Sequence, residues 1–377
     1  MNGPAAIVSK SFVNVTDPRL ERGHNHDLLE MIFITLTATI CGANSWTDVE
    51  RFANGKIKWF RRYTKLDNGV PSHDTLGRVF SRLDTDEFLT AMHHWVDQFA
   101  GSLRGKGVAI DGKVLRGSFD RAAGQSPLHT MTAFASETRL VIRQLSVDDK
   151  SNEIPAVPKL LELMEIEGAV ITLDAMHCQK ETAKAITDKK AEYILTVKGN
   201  QQKLAEAIGK RFVAYGELDN QVEGLRRHVT VEKSHGREER REYFCIAIDD
   251  DEIFDDWAGA KTIGMIYRHR EGNVAEHDET MFFISSLPPK VKRLSKFIRD
   301  HWKIENSEHY VLDVTFAEDA SRIRRGTSPE ISAAIRRMAL NILQRDTTVK
   351  DNIRGKRMRA GWDDAVLDGI YAGFNRT

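Results

Sequence analysis

GVAIDGKVLRGS (107–118), LHTMTAFAS (128–136) and LVIRQLSV (140–147) are three short runs rich in β-branched residues, and with them the chain leaves helical periodicity for extended structure. IPAVPKLLELMEI (154–166) then reads as a helix, GAVITLD (168–174) as a strand, CQKETAKAITDKK (178–190) as a helix and AEYILTV (191–197) as a strand. Three successive strands make a meander, whereas strands separated by helices are joined by crossovers. The sheet expected is therefore mixed.

That order of elements is the signature of an α/β ribonuclease-H-like sheet flanked by helices. The helix that closes such a fold does not follow at once. From about Val222 to Ser286 the sequence alternates in a β manner, and a helical pattern returns only after Pro289, which predicts a β-rich insertion at about 222–286 ahead of the last helix of the fold. Upstream, His26–Ile40 is apolar-rich, Asp48–Phe60 is amphipathic, and PSHDTLGRVFSRL from Pro71 offers Ser72 as an N-cap. The expected organisation is a helical domain over 1–103, with Gly101–Gly107 as the linker out of it, a catalytic domain over 104–345, and a basic helical tail over 346–377.

With 377 residues, 41% of them apolar, the chain can bury a sizeable core. No run reaches the roughly 18 apolar residues of a membrane span. The start MNGPAAIVSKSF lacks the features of a signal peptide, so a cytoplasmic location and no membrane partner are expected. Cys41, Cys178 and Cys245 are too widely spaced for a zinc pattern and read as packing residues. Net charge is zero, with 55 basic and 55 acidic residues, yet Ser286–Ala360 holds seventeen Lys or Arg against nine acids, while Asp249–Asp256 holds six acids in eight residues. Charge is thus segregated along the chain.

Three carboxylates stand out, each with an ordinary alternative. Asp111 ends the apolar run VAI before Gly112, where Asp-Gly also fits a hairpin turn. Asp174 ends VITL before a helix and could be an N-cap. Glu305 lies in the helical stretch IRDHWKIENSEHYVL, where a surface glutamate is unremarkable. Taken together, they place two acids at strand ends of one sheet and a third on a helix able to cross it. Carboxylate oxygens suit hard divalent cations, and paired Mg²⁺ ions about 3.5–4 Å apart stabilise the entering and leaving oxygens of phosphodiester chemistry. His301 and His309 sit four residues either side of Glu305 on one helical face and read as partly exposed polar residues, with orientation of phosphate or a metal ligand as the alternative.

AIDGKVLRGS, ITLDAMHCQKETAKAI, YILTVKGNQ, SHGREERREY and RDHWKIENSEHYVLDVTFAEDASR, in that order, closely resemble bacterial insertion-sequence transposases of the DDE class, in particular the group containing the H-repeat-associated proteins. The stretches 17–43 and 71–84 resemble the helical domain that accompanies that catalytic domain, so the likeness spans roughly residues 15–345. It implies Asp111, Asp174 and Glu305 as catalytic and metal-binding residues, Mg²⁺ or Mn²⁺ (two ions) as cofactor, and no small-molecule cofactor. The implied activity cleaves the ends of an insertion sequence and joins the freed 3′ hydroxyl to target DNA. The partners implied are double-stranded DNA, as terminal inverted repeats and as target, and a second copy of the chain in the synapse, at the bacterial nucleoid. Two other readings stay open: a transposase-derived DNA-binding protein that no longer cuts, and a nuclease of the same fold that does not transpose.

Lys198, Asn200 and Gln201 of VKGNQ are expected near the site as phosphate or backbone contacts, unless the segment is only a turn at Gly199. Further candidates for DNA binding are Lys113, Arg116, His235, Arg237, Lys303, Arg322, Arg324 and Arg325, since arginine forks suit phosphate oxygens. Trp257 reads as a packed residue, with stacking on a base as the alternative. One departure from the family pattern is plain. A hydrophobic residue, His and Trp are expected after IEN, where this sequence has Ser307, Glu308, His309 and Tyr310, which puts a second acid beside Glu305.

Overall fold

The computed structural model describes residues 1–20, 24–119, 124, 126–147, 154–218, 221–234, 237–248, 251–271 and 277–375. Six helices come first: α1 (Ala6–Ser11), α2 (Leu28–Ile40), α3 (Trp46–Gly55), α4 (Ile57–Phe60), α5 (His73–Phe80) and α6 (Thr85–Ala100). Side-chain oxygens of Asp27, Ser45, Ser72 and Asp84 cap α2, α3, α5 and α6. The amphipathic run over 48–60 is broken at Lys56, just after Gly55, the poorest helix former in the run.

Strands β1 (Gly107–Leu115), β2 (Leu128–Ala135) and β3 (Leu140–Val147) form the meander, followed by α7 (Ala156–Glu162), β4 (Val170–Leu173), α8 (Lys180–Asp188) and β5 (Glu192–Val197). The pairings are antiparallel for β1–β2 and β2–β3 and parallel for β1–β4 and β4–β5. This is the ribonuclease-H-like arrangement expected from the order of elements. A helix the sequence reading passed over, α9 (Gln202–Glu217), follows β5 and packs on the strands of the insertion.

The insertion does not form a separate body. Its strands β6 (Arg226–Ser234), β7 (Arg237–Ala247), β8 (Thr262–Glu271) and β9 (His277–Ser285) continue the same sheet, because β9 pairs antiparallel with β5. The full order is β3-β2-β1-β4-β5-β9-β8-β7-β6. At the β3 edge, Asn341 substitutes for a neighbouring strand: Val141 N donates to its Oδ1 at 2.9 Å and its Nδ2 donates to Val141 O at 2.8 Å.

The chain then runs through α10 (Val291–His301), a π-helical turn over Glu305–His309, α11 (Tyr310–Val314), α12 (Ser328–Arg345), α13 (Ile353–Trp362) and α14 (Asp364–Asn375). Helix α12 lies between β3 and α2 and so joins sheet to N-terminal helices. Its Arg337 is fully buried, donating to Glu308 and Glu318, each at 3.1 Å. The C-terminal segment folds back onto the N-terminal helices: Tyr371 and Thr37 hydroxyls meet at 2.8 Å and Trp59 donates to Asp368 at 2.9 Å. Two of its basic residues, Lys356 and Arg357, are buried, the latter donating to Thr39 O at 2.8 Å and stacking on Phe316.

Breaking a buried ion pair by removing one partner costs about 3–5 kcal/mol, since the other charge is left desolvated. Arg337→Ala strands two buried glutamates, so denaturant unfolding is expected to show a loss of that size. A loss below about 1 kcal/mol would mean that the network does not hold α12 to the π-helical turn.

Candidate active site

Asp111 lies inside β1, opposite Thr132 of β2, and the pairing continues to Leu115–Leu128. The Asp-Gly step is therefore mid-strand and not a hairpin turn. Asp174 directly follows β4 at the start of a one-turn 3₁₀ helix, but its side chain makes no capping bond. Since β1 and β4 are parallel neighbours, both aspartates emerge at one end of the sheet. Glu305 opens the π-helical turn that crosses this end, and its side chain is half exposed. All three line one cleft of about 180 Å³, together with Thr172, His301 and Trp302.

The electrostatics of the cleft are those of crowded acids. Burial pushes the Asp111 carboxyl up to about 7, with the neighbouring Glu305 adding to the rise, while His309 and the Gly112 N–H, at 2.9 Å, oppose it. Glu305 itself is held below its usual range, chiefly by the His309 imidazole beside it. Burial disfavours a charged His309, but Glu305, Glu308 and Asp111 around it outweigh that and raise its pKa. His301 holds Thr172 Oγ1 at 2.9 Å and is kept neutral, its pKa lowered to about 4 by desolvation.

Of the two histidines, His301 is partly exposed as expected, whereas His309 corrects the expectation. His309 is 6% exposed, not a partly exposed surface residue, and its Nδ1 stands 3.4 Å from Glu305 Oε2 and 3.7 Å from Asp111 Oδ2. Donor atoms of Asp111, Glu305 and His309 all lie within 4.8 Å of one another. Asp174 Oδ1 is buried and accepts no hydrogen bond among the described residues. Crowded carboxylates and an orphaned acceptor fit a divalent cation, which would relieve both.

Glu308 takes no part in the cleft. It is fully buried, accepts from Arg337 Nε at 3.1 Å and from Thr132 Oγ1 at 3.2 Å, and so occupies the place where a hydrophobic residue was expected. Glu305 is left as the glutamate that faces Asp111.

The other expected site residues separate into several groups. Lys198 is exposed and lines the cleft, while Asn200 donates to Ala175 O at 2.5 Å and Gln201 to Cys178 O at 2.9 Å, tying their loop to the segment after Asp174. Lys113 is buried and bonded to Asp313 at 2.6 Å, with Asp319 at 3.6 Å, so its charge is spent inside the protein, tying β1 to α11. Arg324 donates to Gly117 O at 2.9 Å and covers the Phe119 ring. Lys303 pairs with Asp300 at 2.7 Å. Arg116, Arg322 and Arg325 are exposed on adjoining segments, since Gly117 abuts the backbone of Asp319 and Ser321. His235 falls outside the described residues, and Arg237 begins β7. Trp257 is packed, at 3% exposure.

Sequence reasoning missed Thr172, Trp302 and the buried His177, whose Nε2 is 4.0 Å from Asp174 Oδ1. A signal for His177 was present in LDAMH, three residues after Asp174. The wall formed by Trp302 had no sequence signal.

A ribonuclease-H-like sheet carrying one aspartate within β1, a second directly after the parallel β4 and a glutamate on a helical turn is the architecture of the DDE phosphoryl-transfer proteins. Residues 103–342 match the family described as Transposase DDE domain, and residues 9–96 match the DDE_Tnp_1-associated family. The chain belongs to the DDE transposases of bacterial insertion sequences, with the associated N-terminal domain. It is 36% identical over 363 residues to "Putative transposase YncI" of Escherichia coli O157:H7, covering 95% of this chain and 92% of that protein. It is 35% identical over 355 residues to "H repeat-associated putative transposase YhhI" of Escherichia coli K12, covering 92% and 93%. A piggyBac transposase synaptic complex with hairpin DNA is a distant likeness, with TM-score 0.41 and 11% identity over 98% of this chain and 77% of that one.

A carboxyl whose pKa is raised on folding favours the folded state at low pH and penalises it as pH rises through the folded value. For Asp111 that window runs from its ordinary value of 3.8 to about 7. Metal-free Asp111→Asn is therefore expected to melt a few degrees above the parent at pH 8 and level with it below pH 4. An Asn variant less stable than the parent at pH 8 would contradict the crowding described for this site.

Proposed function

We propose that the chain cuts DNA at the ends of its insertion sequence and joins those ends to target DNA, using metal ions held by Asp111, Asp174 and Glu305. The observation that carries this reading is the convergence of the three carboxylates on one cleft at the end of the sheet. A pair of Mg²⁺ or Mn²⁺ ions bound there supplies charge stabilisation at the entering and leaving oxygens of an in-line displacement. The protein's own part is placement. β1 and β4 fix the two aspartates side by side, the buried Glu308–Arg337 contact fixes the turn that bears Glu305, and the Trp302 and Ile298 side chains wall the cleft. Hydrolysis at the element end and attack by the 3′ hydroxyl are the same displacement at phosphorus with different nucleophiles, so one site serves both.

Double-stranded DNA, as terminal inverted repeats and then as target, is the partner proposed, with two copies of the chain holding the paired ends. The cytoplasm, at the nucleoid, is the place where such DNA is met. Among the described residues no helix is long and apolar enough to cross a membrane. Exposed Arg116, Arg322 and Arg325 on adjoining segments, with Lys198 in the cleft, supply the phosphate contacts of this reading.

Asp111→Asn and Asp174→Asn are each expected to lower metal-dependent cleavage of repeat-end DNA about a thousandfold or more, the several kcal/mol of cation stabilisation at ~1.4 kcal/mol per tenfold. Binding to the same DNA should survive in both. Strand transfer retained by either variant would overturn the assignment. Arg116→Ala should weaken binding equally for all sequences and reduce the slope of log affinity against log salt by about 1. An unchanged slope would remove Arg116 from the phosphate contacts.

A further inference from the structure

Resting on the reading of the cleft as a metal centre, we infer that His309 Nδ1 is itself a metal ligand, giving one ion a mixed oxygen and nitrogen shell with Asp111 and Glu305. The spacing argues for it. An imidazolium hydrogen-bonded to a carboxylate closes to about 2.7–2.9 Å, whereas Nδ1 stands 3.4 Å from Glu305 Oε2 and 3.7 Å from Asp111 Oδ2. Both separations are too long for such bonds. They fall between the roughly 3.0 and 4.2 Å that adjacent and opposite ligands keep around an ion with bonds of about 2.1 Å.

Burial points the same way. His309 is 6% exposed, and its Nε2 is buried with no hydrogen-bond partner among the described residues, so Nδ1 is the ring nitrogen that meets charged groups. The ring turns Nδ1 toward Asp111 and Glu305. Two carboxylate oxygens and Nδ1, once a cation displaces the proton that the carboxylates favour there, all serve one small volume. The π-helical turn contributes the geometry: it buries Glu308 against Arg337 while Glu305 and His309 meet Asp111. His301 is differently employed, its Nδ1 meeting Thr172 Oγ1 at 2.9 Å.

A nitrogen ligand has a chemical consequence. Mg²⁺ favours an all-oxygen shell, whereas imidazole is a good ligand for first-row transition ions. The site should therefore prefer Mn²⁺ to Mg²⁺, and the preference should depend on His309.

The test is pulsed electron paramagnetic resonance of the full chain loaded with Mn²⁺, read for the modulation that a directly bound ¹⁴N imposes. The expected result is strong ¹⁴N modulation in the parent, its loss in His309→Asn, and its retention in His301→Asn and His177→Asn. Should His309→Asn fail to fold, the parent and the other two variants still decide, since modulation kept in both leaves His309 as its source. Mn²⁺ bound by the parent and not by Asp111→Asn, yet without ¹⁴N modulation, would overturn this inference and leave the metal centre standing. No Mn²⁺ binding by the parent at all would overturn the metal centre itself.

Discussion

A guanidinium buried between two glutamates organises this molecule. Arg337 of α12 has no exposed surface and bonds Glu308 on the π-helical turn and Glu318 beyond it. A charge so placed is tolerated only while its partners are present and correctly aimed. That condition fixes how the turn sits over the sheet, and the turn in turn fixes what faces the cleft. Because Glu308 is drawn inward, Glu305 and His309 are left to meet Asp111.

The same logic of buried charge runs outward from the site. Lys113, two residues along β1 from Asp111, is held by Asp313 and Asp319 and anchors α11, which follows the turn, to the strand that bears Asp111. Arg357, from the C-terminal segment, reaches the end of α2 and the Phe316 ring, so the N-terminal helices, the segment after α11 and the chain end share one packed core. Several of the basic residues that give the last quarter of the chain its charge are thus structural. Those still exposed include Arg116, Arg322 and Arg325, which lie on adjoining segments.

Much of this was legible in the sequence. Local periodicity reports local structure, so the meander, the crossovers and the β character of 222–286 could be read directly. Asp111 and Asp174 were picked out because apolar runs stop at them, and both line one cleft with Glu305. What periodicity does not carry is pairing at long range. Nothing near Lys113 announces Asp313, and nothing near Glu308 announces Arg337, so one was read as a DNA contact and the other as a rival to Glu305. The insertion was expected as an added element, yet its last strand completes β5 in the same sheet, a fact set by edge pairing and not by composition. His309 was read as a helix polar residue because its spacing from Glu305 gives a shared face without telling whether that face is wet.

The central claim is a division of labour between two glutamates three residues apart, one for metal and one for structure. Calorimetric titration of Mn²⁺ into Glu305→Gln and Glu308→Gln, beside the parent, tests it most directly. The account predicts that Glu305→Gln binds at least about tenfold more weakly than the parent, while folded Glu308→Gln stays within about threefold of it. Metal affinity lost in Glu308→Gln and kept in Glu305→Gln would contradict it.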